Sequence, residues 1–369
     1  MSALSDILVV ALEQAVAAPY ATRLLAEAGA RVIKIERDEG DFARAYDTVI
    51  NGESAYFVWL NAGKESLTLD VKNPSDQQLL EALIAKADVF IQNLRPGAVN
   101  RLGLSYDEVA KLNPRVIMCS ISGYGDSGPL AEMKAYDFLV QAESGLCSVS
   151  GTPDAPTRCG VSVCDISTGL TAYGEILRAL FERATTGRGQ HLEISLFDVI
   201  SEWMSVPLAY YTYGGRVLTG TGLDHTQIAP YGAYDTADGQ IIIAVQNHRE
   251  WVSLCATMGR PELADDPRFK SNPLRVEHRA ALKVELEYFF KQHTRVALGA
   301  ILEHGSIAYG RINSTQDLSS HAALKTKDVI SNGKRATLVR RVCDDAETPR
   351  AVPALGQHSA AIRREFTEK

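Results

Sequence analysis

The sequence lacks the motifs of the commonest nucleotide-binding and hydrolytic α/β enzymes. No G-x-G-x-x-G follows the first predicted strand, where the chain reads EQAVAAP at 13–19, and no G-x-x-x-x-G-K-[ST] loop occurs. These absences disfavour a dinucleotide or a P-loop nucleotide as the ligand. A G-x-S-x-G elbow is also absent, which disfavours a hydrolase of that type.

Cysteine and histidine are too sparse and too scattered to predict a metal site. The 6 cysteines form no C-x-x-C pair, and neither they nor the 8 histidines show zinc spacing, so we expect reduced thiols and no metal. The N-terminus has no basic region and no apolar run reaches about 18 residues, so we expect a cytoplasmic protein without a signal peptide or membrane span. The net charge of −7 disfavours nucleic-acid binding, so an anionic ligand would need a local basic pocket.

The first 36 residues show the pattern of a β-α-β unit. A short apolar run at 7–12 is typical of a buried parallel strand, and a helix over about 19–28 ends at Gly29 before a second strand at 31–36. The pattern continues with predicted strands at 87–93, 115–121 and 191–196 and predicted helices at 75–86, 105–112 and 165–183. Five such strands predict an α/β fold with a Rossmann-like open parallel sheet.

The sequence pattern changes after Trp203, where tyrosine and glycine become frequent. A β-hairpin is predicted over 231–245 with its turn at Asp238-Gly239, and helices follow near 249–258 and 276–291. We therefore predict a large domain formed by both termini and a smaller α+β domain. The boundaries are 1–205 with 330–369 for the large domain, 225–325 for the small domain, and 206–224 and 326–329 for the linkers, with a last helix near 359–366.

Asp165 is a lone carboxylate in the uncharged stretch GVSVCDISTG at 160–169, directly before the apolar stripe of the predicted helix. A helix N-terminus stabilises negative charge, so Asp165 would be held ionised and available as a nucleophile. The alternative is an ordinary N-cap, for which Asp is among the preferred residues. Local sequence leaves both interpretations open.

Basic side chains follow several predicted strands, where an open α/β sheet forms its ligand crevice. Arg37 follows the second strand, Arg101 the third and Lys134 the fourth, so they are candidates to bind phosphates, or else solvated surface residues. Tyr136 and Asp137 come directly after Lys134, with packing and capping as their alternative roles. His225 precedes the hairpin and is a candidate ligand contact or a packing residue.

Short segments in order along nearly the whole chain resemble the class III coenzyme A transferases, the family of formyl-CoA, carnitine, glutarate and itaconate CoA-transferases. The matching segments are QAVAAP at 14–19, VIKIER at 32–37, NAGKESL at 61–67, QNLRPG at 92–97, GYGDSGP at 123–129, GVSVCDISTG at 160–169, TGRGQ at 186–190, IAPY at 228–231 and LGQH at 355–358. The resemblance implies an interlocked homodimer in which a Rossmann-like domain and a smaller domain form each chain. It also implies that CoA thioesters are substrates and that no cofactor is permanently bound.

The same resemblance assigns roles to individual residues. Asp165 matches the nucleophile, which forms a mixed anhydride and then an aspartyl-CoA thioester. The positions that match CoA contacts are Gln14, Arg37, Asn93, Arg101, Lys134 and Tyr136, with Gln14 near the thioester. Asp137 matches a carboxylate that takes part in the cycle. The run of four glycines that closes the site in formyl-CoA transferase is absent, and residues 214–222 or the segment up to Pro230 are its candidate replacements.

Two other activities fit parts of the pattern. A related 2-methylacyl-CoA racemase uses a histidine where this chain has Tyr136, which removes one proton-transfer partner. A non-catalytic acyl-CoA-binding protein would not need an intact Asp165. We expect a C4–C6 dicarboxylate such as itaconate, mesaconate, glutarate or malate as acceptor and succinyl-CoA as donor, or CoA transfer within one dicarboxylate. Arg44 and Arg158 are candidates to hold the distal carboxylate.

Overall fold

A computed structural model describes residues 2–342, 344 and 348–367, and the chain divides into two compact units. The first unit comprises Met1–Leu146, Cys159–Val206 and Lys325–Lys369, and the second comprises Cys147–Arg158 and Pro207–Leu324. Cys343 lies outside the described residues, and among the described cysteines Cys119, Cys159 and Cys255 are free thiols. No described helix combines the length and apolarity needed to cross a membrane.

Strands and helices follow one another along the described chain. The strands are β1 (Leu8–Leu12), β2 (Arg31–Glu36), β3 (Glu65–Thr68), β4 (Val89–Gln92), β5 (Ile117–Ser122), β6 (Gly151–Thr152), β7 (Ala155–Pro156), β8 (His191–Ser195), β9 (Tyr231–Thr236), β10 (Gly239–Ala244), β11 (Ala308–Arg311), β12 (Thr326–Ser331), β13 (Lys334–Val339) and β14 (Arg350–Ala351). The helices are α1 (Ala17–Glu27), α2 (Ala55–Asn61), α3 (Pro74–Lys86), α4 (Ala98–Arg101), α5 (Tyr106–Leu112), α6 (Asp137–Glu143), α7 (Leu146–Val149), α8 (Val163–Thr186), α9 (Leu196–Trp203), α10 (Ser205–Gly214), α11 (His248–Thr257), α12 (Asn272–Glu277), α13 (Arg279–Phe290), α14 (Arg295–His304), α15 (Thr315–Ser319) and α16 (Ser359–Thr367).

The first unit is built on a parallel six-stranded sheet with the order β3-β2-β1-β4-β5-β8. This confirms the predicted α/β class and the open parallel sheet. The five predicted strands are all present, and β3 is an additional edge strand next to β2. Its sequence ESLT is short and contains one apolar residue, which explains why no apolar run marked it.

Both faces of this sheet are covered, as a parallel sheet requires. On β1, Val9 and Ala11 belong to one buried cluster that also contains side chains of α1 and α8. Val10 and Leu12 alternate with them and belong to a second cluster, which includes side chains of α3. The C-terminal helix α16 contributes Ile362 and Phe366 to this second cluster, so the chain end returns to the sheet.

Two segments that were predicted to be linkers contain regular structure. Residues 326–329 lie within β12, which pairs with β13 through a turn at Asn332-Gly333. The 206–224 segment contains most of α10.

The second unit carries a three-stranded antiparallel sheet with the order β11-β10-β9. The predicted hairpin is present, but Thr236 pairs with Gly239, so the turn lies one residue earlier than Asp238-Gly239. Trp251, Phe269 and Phe290 lie in the buried cluster of this unit.

Candidate active site

The site begins where the strand order of the first unit reverses, between β1 and β4. From β1 the chain continues to β2 and β3 on one side, whereas β4 and β5 lie on the other. Ligands of open α/β folds bind outside the carboxyl ends of the strands at such a switch point. Gln14 follows β1 and Asn93 follows β4, so the topology brings these two predicted site residues to this position.

The Asn93 amide holds the turn between β1 and α1. It accepts a hydrogen bond from the Gln14 N–H (2.9 Å) and donates one to the Gln14 carbonyl oxygen (2.8 Å). Ala15, the next residue, has a φ of +60°. This left-handed conformation is uncommon for a residue other than glycine.

The start of α1 packs directly on α8, the helix that carries Asp165. A Cβ added at Gly169 would lie 2.5 Å from the Ala17 carbonyl oxygen and 2.9 Å from the Tyr20 Cβ. Only a glycine therefore permits this approach. Because Gly169 lies about one helical turn after Asp165, the β1–α1 turn and Asp165 belong to the same part of the first unit.

Asp165 is not the N-cap of its helix, which corrects the capping alternative. The N-cap position of α8 is Ser162, whose side chain makes no capping hydrogen bond, and Asp165 occupies the third helical position. The cap comes from Asp137 at the start of α6. Its Oδ1 accepts hydrogen bonds from the N–H groups of Cys164 (2.7 Å) and Asp165 (3.2 Å).

Asp137 is held in turn by Gln141, so the capping carboxylate has a fixed orientation. The Gln141 Nε2 donates to Oδ2 of Asp137 (2.7 Å), while its Oε1 accepts from the N–H of Cys159 (2.8 Å). Asp137 thereby satisfies two of the backbone donors at the start of α8. The Asp165 carboxylate accepts no hydrogen bond within the described part of the chain.

The electrostatic environment of Asp165 differs from the expectation that the helix dipole keeps it ionised. The residue retains partial solvent contact, but its carboxyl group is closely surrounded by protein atoms. Burial raises the pKa of Asp165 to about 7, and the neighbouring Asp137 carboxylate adds to the increase. Loss of hydration therefore outweighs the favourable dipole. A strongly perturbed pKa in a ligand crevice is typical of functional carboxylates.

Aromatic residues that sequence reasoning missed lie beside this carboxylate. Burial raises the pKa of Tyr46 to about 12, with further contributions from Asp41, Asp165, Tyr56 and Tyr136, so these groups lie within electrostatic range of its hydroxyl. The rings of Tyr46 and Tyr56 are in edge contact at 5.6 Å. Both side chains are exposed. Five aromatic residues within 42–59 were the available sequence signal.

The predicted basic residues follow strands of the same sheet at their carboxyl ends. Arg37 follows β2, Arg101 ends α4 after β4, and Lys134 lies between β5 and α6. All three side chains are exposed, and Arg37 also lies 3.7 Å from the Glu39 carboxylate. Tyr136, the N-cap residue of α6, is also exposed.

Three other candidates have different surroundings. Arg44 donates from two nitrogens to the Glu36 carboxylate (2.8 Å each), so its guanidinium is already engaged. Arg158 and His225 belong to the second unit. The His225 ring stacks on Tyr231 (5.1 Å between ring centroids), and its Nδ1 accepts from the Gln227 N–H (3.1 Å). The described residues contain no cluster of His, Cys, Asp and Glu that could hold a metal ion.

The sequence model of CoA-transferase family III matches residues 4–363. The chain belongs to CoA-transferase family III. It is therefore an enzyme whose substrates are CoA thioesters, which confirms the family and the enzyme class predicted from the sequence.

Curated relatives and a solved structure agree with this assignment over the full length. The chain is 33% identical to succinyl-CoA:glutarate CoA-transferase of Mus musculus, covering 99% of this chain and 86% of that protein. It is 34% identical to acetyl-CoA:oxalate CoA-transferase of Acetobacter aceti, covering 98% and 95%. The crystal structure of a CAIB/BAIF family protein from Brucella suis superposes with a TM-score of 0.85 at 35% identity, covering 99% of each chain.

Proposed function

We propose that this family III enzyme transfers CoA from succinyl-CoA to a C4–C6 dicarboxylate, with Asp165 as the covalent nucleophile. The observation that supports the proposal is the position of the Asp165 carboxylate and its lack of hydrogen-bond donors in the described part of the chain. It lies at the start of α8 near the switch point, Asp137 performs the capping in its place, and no protein donor occupies its oxygens within the described residues. A carboxylate whose oxygens are bound by no protein donor is available to attack a thioester.

The proposed cycle has four acyl-transfer steps. An Asp165 carboxylate oxygen attacks the donor thioester carbonyl, the C–S bond breaks, and CoA thiolate leaves as a mixed anhydride forms. The thiolate attacks the Asp165 carbonyl and releases succinate, which leaves an aspartyl-CoA thioester. The acceptor carboxylate attacks that thioester to give a second anhydride and thiolate again. The thiolate then attacks the acceptor's acyl carbon, which forms the new acyl-CoA and regenerates Asp165.

The exposed basic residues suit the diphosphate and phosphate groups of CoA. They lie beyond the carboxyl ends of the strands. Arg37 and Arg101 would each bind a phosphate through two hydrogen bonds, and Lys134 would bind one as a point charge. Asn93 would act through the Gln14 turn, since its amide is already bonded to that backbone.

The acceptor assignment rests on two kinds of support. Both the mouse and the Acetobacter relatives carry a dicarboxylate in their names, glutarate in one and oxalate in the other. The aromatic pair Tyr46 and Tyr56 beside Asp165 supplies hydroxyl donors and an apolar wall, which suits a short carbon chain with a polar end. Arg44 is a weaker candidate for the distal carboxylate because Glu36 already neutralises it.

We further infer that the chain assembles as an interlocked homodimer. Helix α10 is apolar along its length but has no buried residue within one chain. Three of its large side chains, Val206, Leu208 and Tyr211, are at least 60% exposed. Exposed apolar surface of this kind is typical of an interface between subunits.

The decisive experiment combines product analysis with trapping. The protein is incubated with succinyl-CoA and, separately, glutarate, itaconate, mesaconate, malate or oxalate, and new acyl-CoA species are followed by mass spectrometry. Hydroxylamine added during turnover should convert Asp165 to a hydroxamate that peptide mapping locates. Transfer at the wild-type rate by Asp165→Ala would contradict the mechanism.

A matched control is available on the neighbouring helix. Asp198 occupies the third position of α9, as Asp165 does in α8, but its side chain is exposed. Asp198→Ala should retain transfer and give no hydroxamate. Deuterium uptake at the α-carbon of a 2-methylacyl-CoA, without CoA transfer, would instead support a racemase.

A further inference from the structure

A buried network of ionised side chains lies directly beneath the turn that connects β1 to α1. It contains three acidic and three basic residues: Glu13, Glu36, Asp41, Lys34, Lys64 and Arg44. The Lys34, Lys64, Glu13 and Asp41 side chains have no solvent exposure. The charges balance, yet removing so many ions from water is costly and is seldom the most stable way to fill a core.

The centre of the network is fully paired. Lys64 Nζ lies 2.7 Å from Oε1 of Glu13, and Lys34 Nζ lies 2.9 Å from Oδ2 of Asp41. Burial disfavours ionised Glu13, but the two ammonium groups reverse this effect and hold the pKa of Glu13 below its ordinary value. The Thr22 hydroxyl donates to the other Glu13 oxygen (2.6 Å). Glu13 is therefore a fixed ionic anchor at the end of β1.

Three consecutive residues of the turn are held by side chains at their backbone groups. Lys34 Nζ donates to the Glu13 carbonyl oxygen (3.2 Å), Asn93 binds both backbone groups of Gln14, and Oδ1 of Asp41 accepts from the Ala15 N–H (3.2 Å). Ala15 has a φ of +60° and no polar side chain to stabilise that conformation. A strained residue persists only where its surroundings determine its conformation.

The network and Asp165 act on a common residue. Burial raises the pKa of Tyr46, and the Asp41 and Asp165 carboxylates add to the increase, so both lie within electrostatic range of its hydroxyl. On the other side, the first turn of α1 packs on α8 at Gly169. The position of residues 14–17 relative to Asp165 is therefore determined from beneath by the network and from the side by α8.

We propose that Asp41 is a positioning residue for acyl transfer: by holding the Ala15 N–H, it fixes the strained Gln14–Ala15 turn in the place beside Asp165 that the reacting acyl group requires. This inference rests on the proposed function, since it assumes chemistry at Asp165. It assigns a purpose to the buried ions that core stability alone does not explain. Asp41 acts through the turn and does not itself contact the reacting atoms.

The primary test is Asp41→Asn, which keeps an oxygen but replaces the ion pair to Lys34 with an amide. We expect kcat for CoA transfer to fall about tenfold or more, because small displacements of reacting groups are this costly. The KM for acyl-CoA and the Kd for free CoA should stay within about twofold, since Arg37, Arg101 and Lys134, which we propose bind the CoA phosphates, lie outside this turn. A purely structural role would not separate these quantities.

A rescue variant tests the route through Ala15. Glycine adopts a positive φ without strain. Ala15→Gly in the Asp41→Asn background should therefore restore at least about threefold in kcat, because the turn no longer tends to leave the left-handed region. If Asp41→Asn fails to fold, the Ala15→Val variant provides a second test of the role of the turn. This change leaves every ion in place but strains the turn further, and it should lower kcat without changing the Kd for CoA.

Asp88 is the matched control at the opposite end of the sheet. It accepts from the Leu8 N–H (2.9 Å) and from Nη2 of Arg183 (2.8 Å), the same two kinds of bond that Asp41 makes. Asp88→Asn should also lower the unfolding temperature, by a smaller amount because the Asp88 side chain is 26% exposed, while kcat stays within about twofold. Equal loss of kcat in both Asn variants, or no rescue by glycine, would overturn the proposal. Wild-type protein without any CoA transfer would instead overturn the proposed function, and this inference with it.

Discussion

The folded protein should become more stable when Asp165 is replaced by an uncharged residue of similar shape. The pKa of Asp165 is raised to about 7 in the folded protein from an ordinary value of 3.8, mainly by burial. A group with a raised folded-state pKa resists ionisation on folding, so the free energy of unfolding decreases as pH rises from about 4 to 7. Asn has nearly the same shape and carries no charge. Asp165→Asn should therefore stabilise the fold wherever wild-type Asp165 would be ionised.

The size of this effect follows from the pKa difference. Each pKa unit corresponds to about 1.4 kcal/mol, so the cost of ionised Asp165 is about 1.5 kcal/mol at pH 5 and about 4 kcal/mol at pH 8. Partial solvent contact of the side chain reduces these values, and we expect a gain of about 2–4 kcal/mol at pH 8. The gain should approach zero near pH 3, where both states are protonated.

The assay is urea unfolding of wild type and Asp165→Asn, followed by tryptophan fluorescence at several pH values from 4 to 8. Thermal unfolding at the same pH values provides an independent ranking, with the variant higher by a few degrees at pH 8. Asp198→Asn is the control, because that carboxylate is exposed and its replacement should bring no pH-dependent gain. Equal stability differences at pH 5 and 8, or a less stable variant at pH 8, would refute the reasoning. The variant should also lose CoA transfer.

Three further outcomes follow from the same site. Asp137→Asn keeps an acceptor for the α8 N–H groups but removes a like charge, so the pH midpoint of kcat/KM should fall below that of the wild type. An unchanged midpoint would assign the raised pKa of Asp165 to burial alone. Arg101→Gln should raise the KM for acyl-CoA about threefold to tenfold with kcat retained, and the difference should shrink at high salt. Tyr46→Phe keeps the ring contact with Tyr56 but removes the hydroxyl, so the KM for the dicarboxylate should rise about fivefold, and a rise in the KM for acyl-CoA instead would contradict this placement.

The sheet could be predicted because β1 is a continuous apolar run and at least half of the residues in β2, β4 and β5 are apolar. Strands β1, β2, β4 and β5 are buried on both faces, so their sequences differ clearly from the amphipathic helices between them. Edge strand β3 lacks this signal. The β12–β13 hairpin was missed although Asn332-Gly333, with φ of +49° and +72°, is the dipeptide that favours a tight hairpin turn.

The chemistry of Asp165 was only partly accessible from the sequence. Its place at the start of a helix was visible, but the cap comes from Asp137, 28 positions earlier in the chain. No local pattern identifies a capping residue that only tertiary folding brings near. The pKa depends on burial and on that same neighbour, so the sequence alone predicted a carboxylate held ionised by the dipole. The Tyr46 and Tyr56 pair was also missed, because the site was predicted from charged residues and these aromatic side chains carry no charge.

The burial of Asp165 has a consequence for the proposed cycle that a well-hydrated carboxylate would not have. Attack on a thioester converts the buried anion into a neutral anhydride and moves the negative charge to the CoA thiolate. The desolvation that raises the pKa to about 7 therefore destabilises the resting carboxylate but not the acylated enzyme. This destabilisation of the carboxylate, up to about 4 kcal/mol, offsets part of the intrinsic free-energy cost of forming an anhydride. It equals the upper end of the stability gain that we expect for Asp165→Asn. Fold stability and covalent catalysis thus depend on the same buried charge, and both should change together when its environment is made more polar.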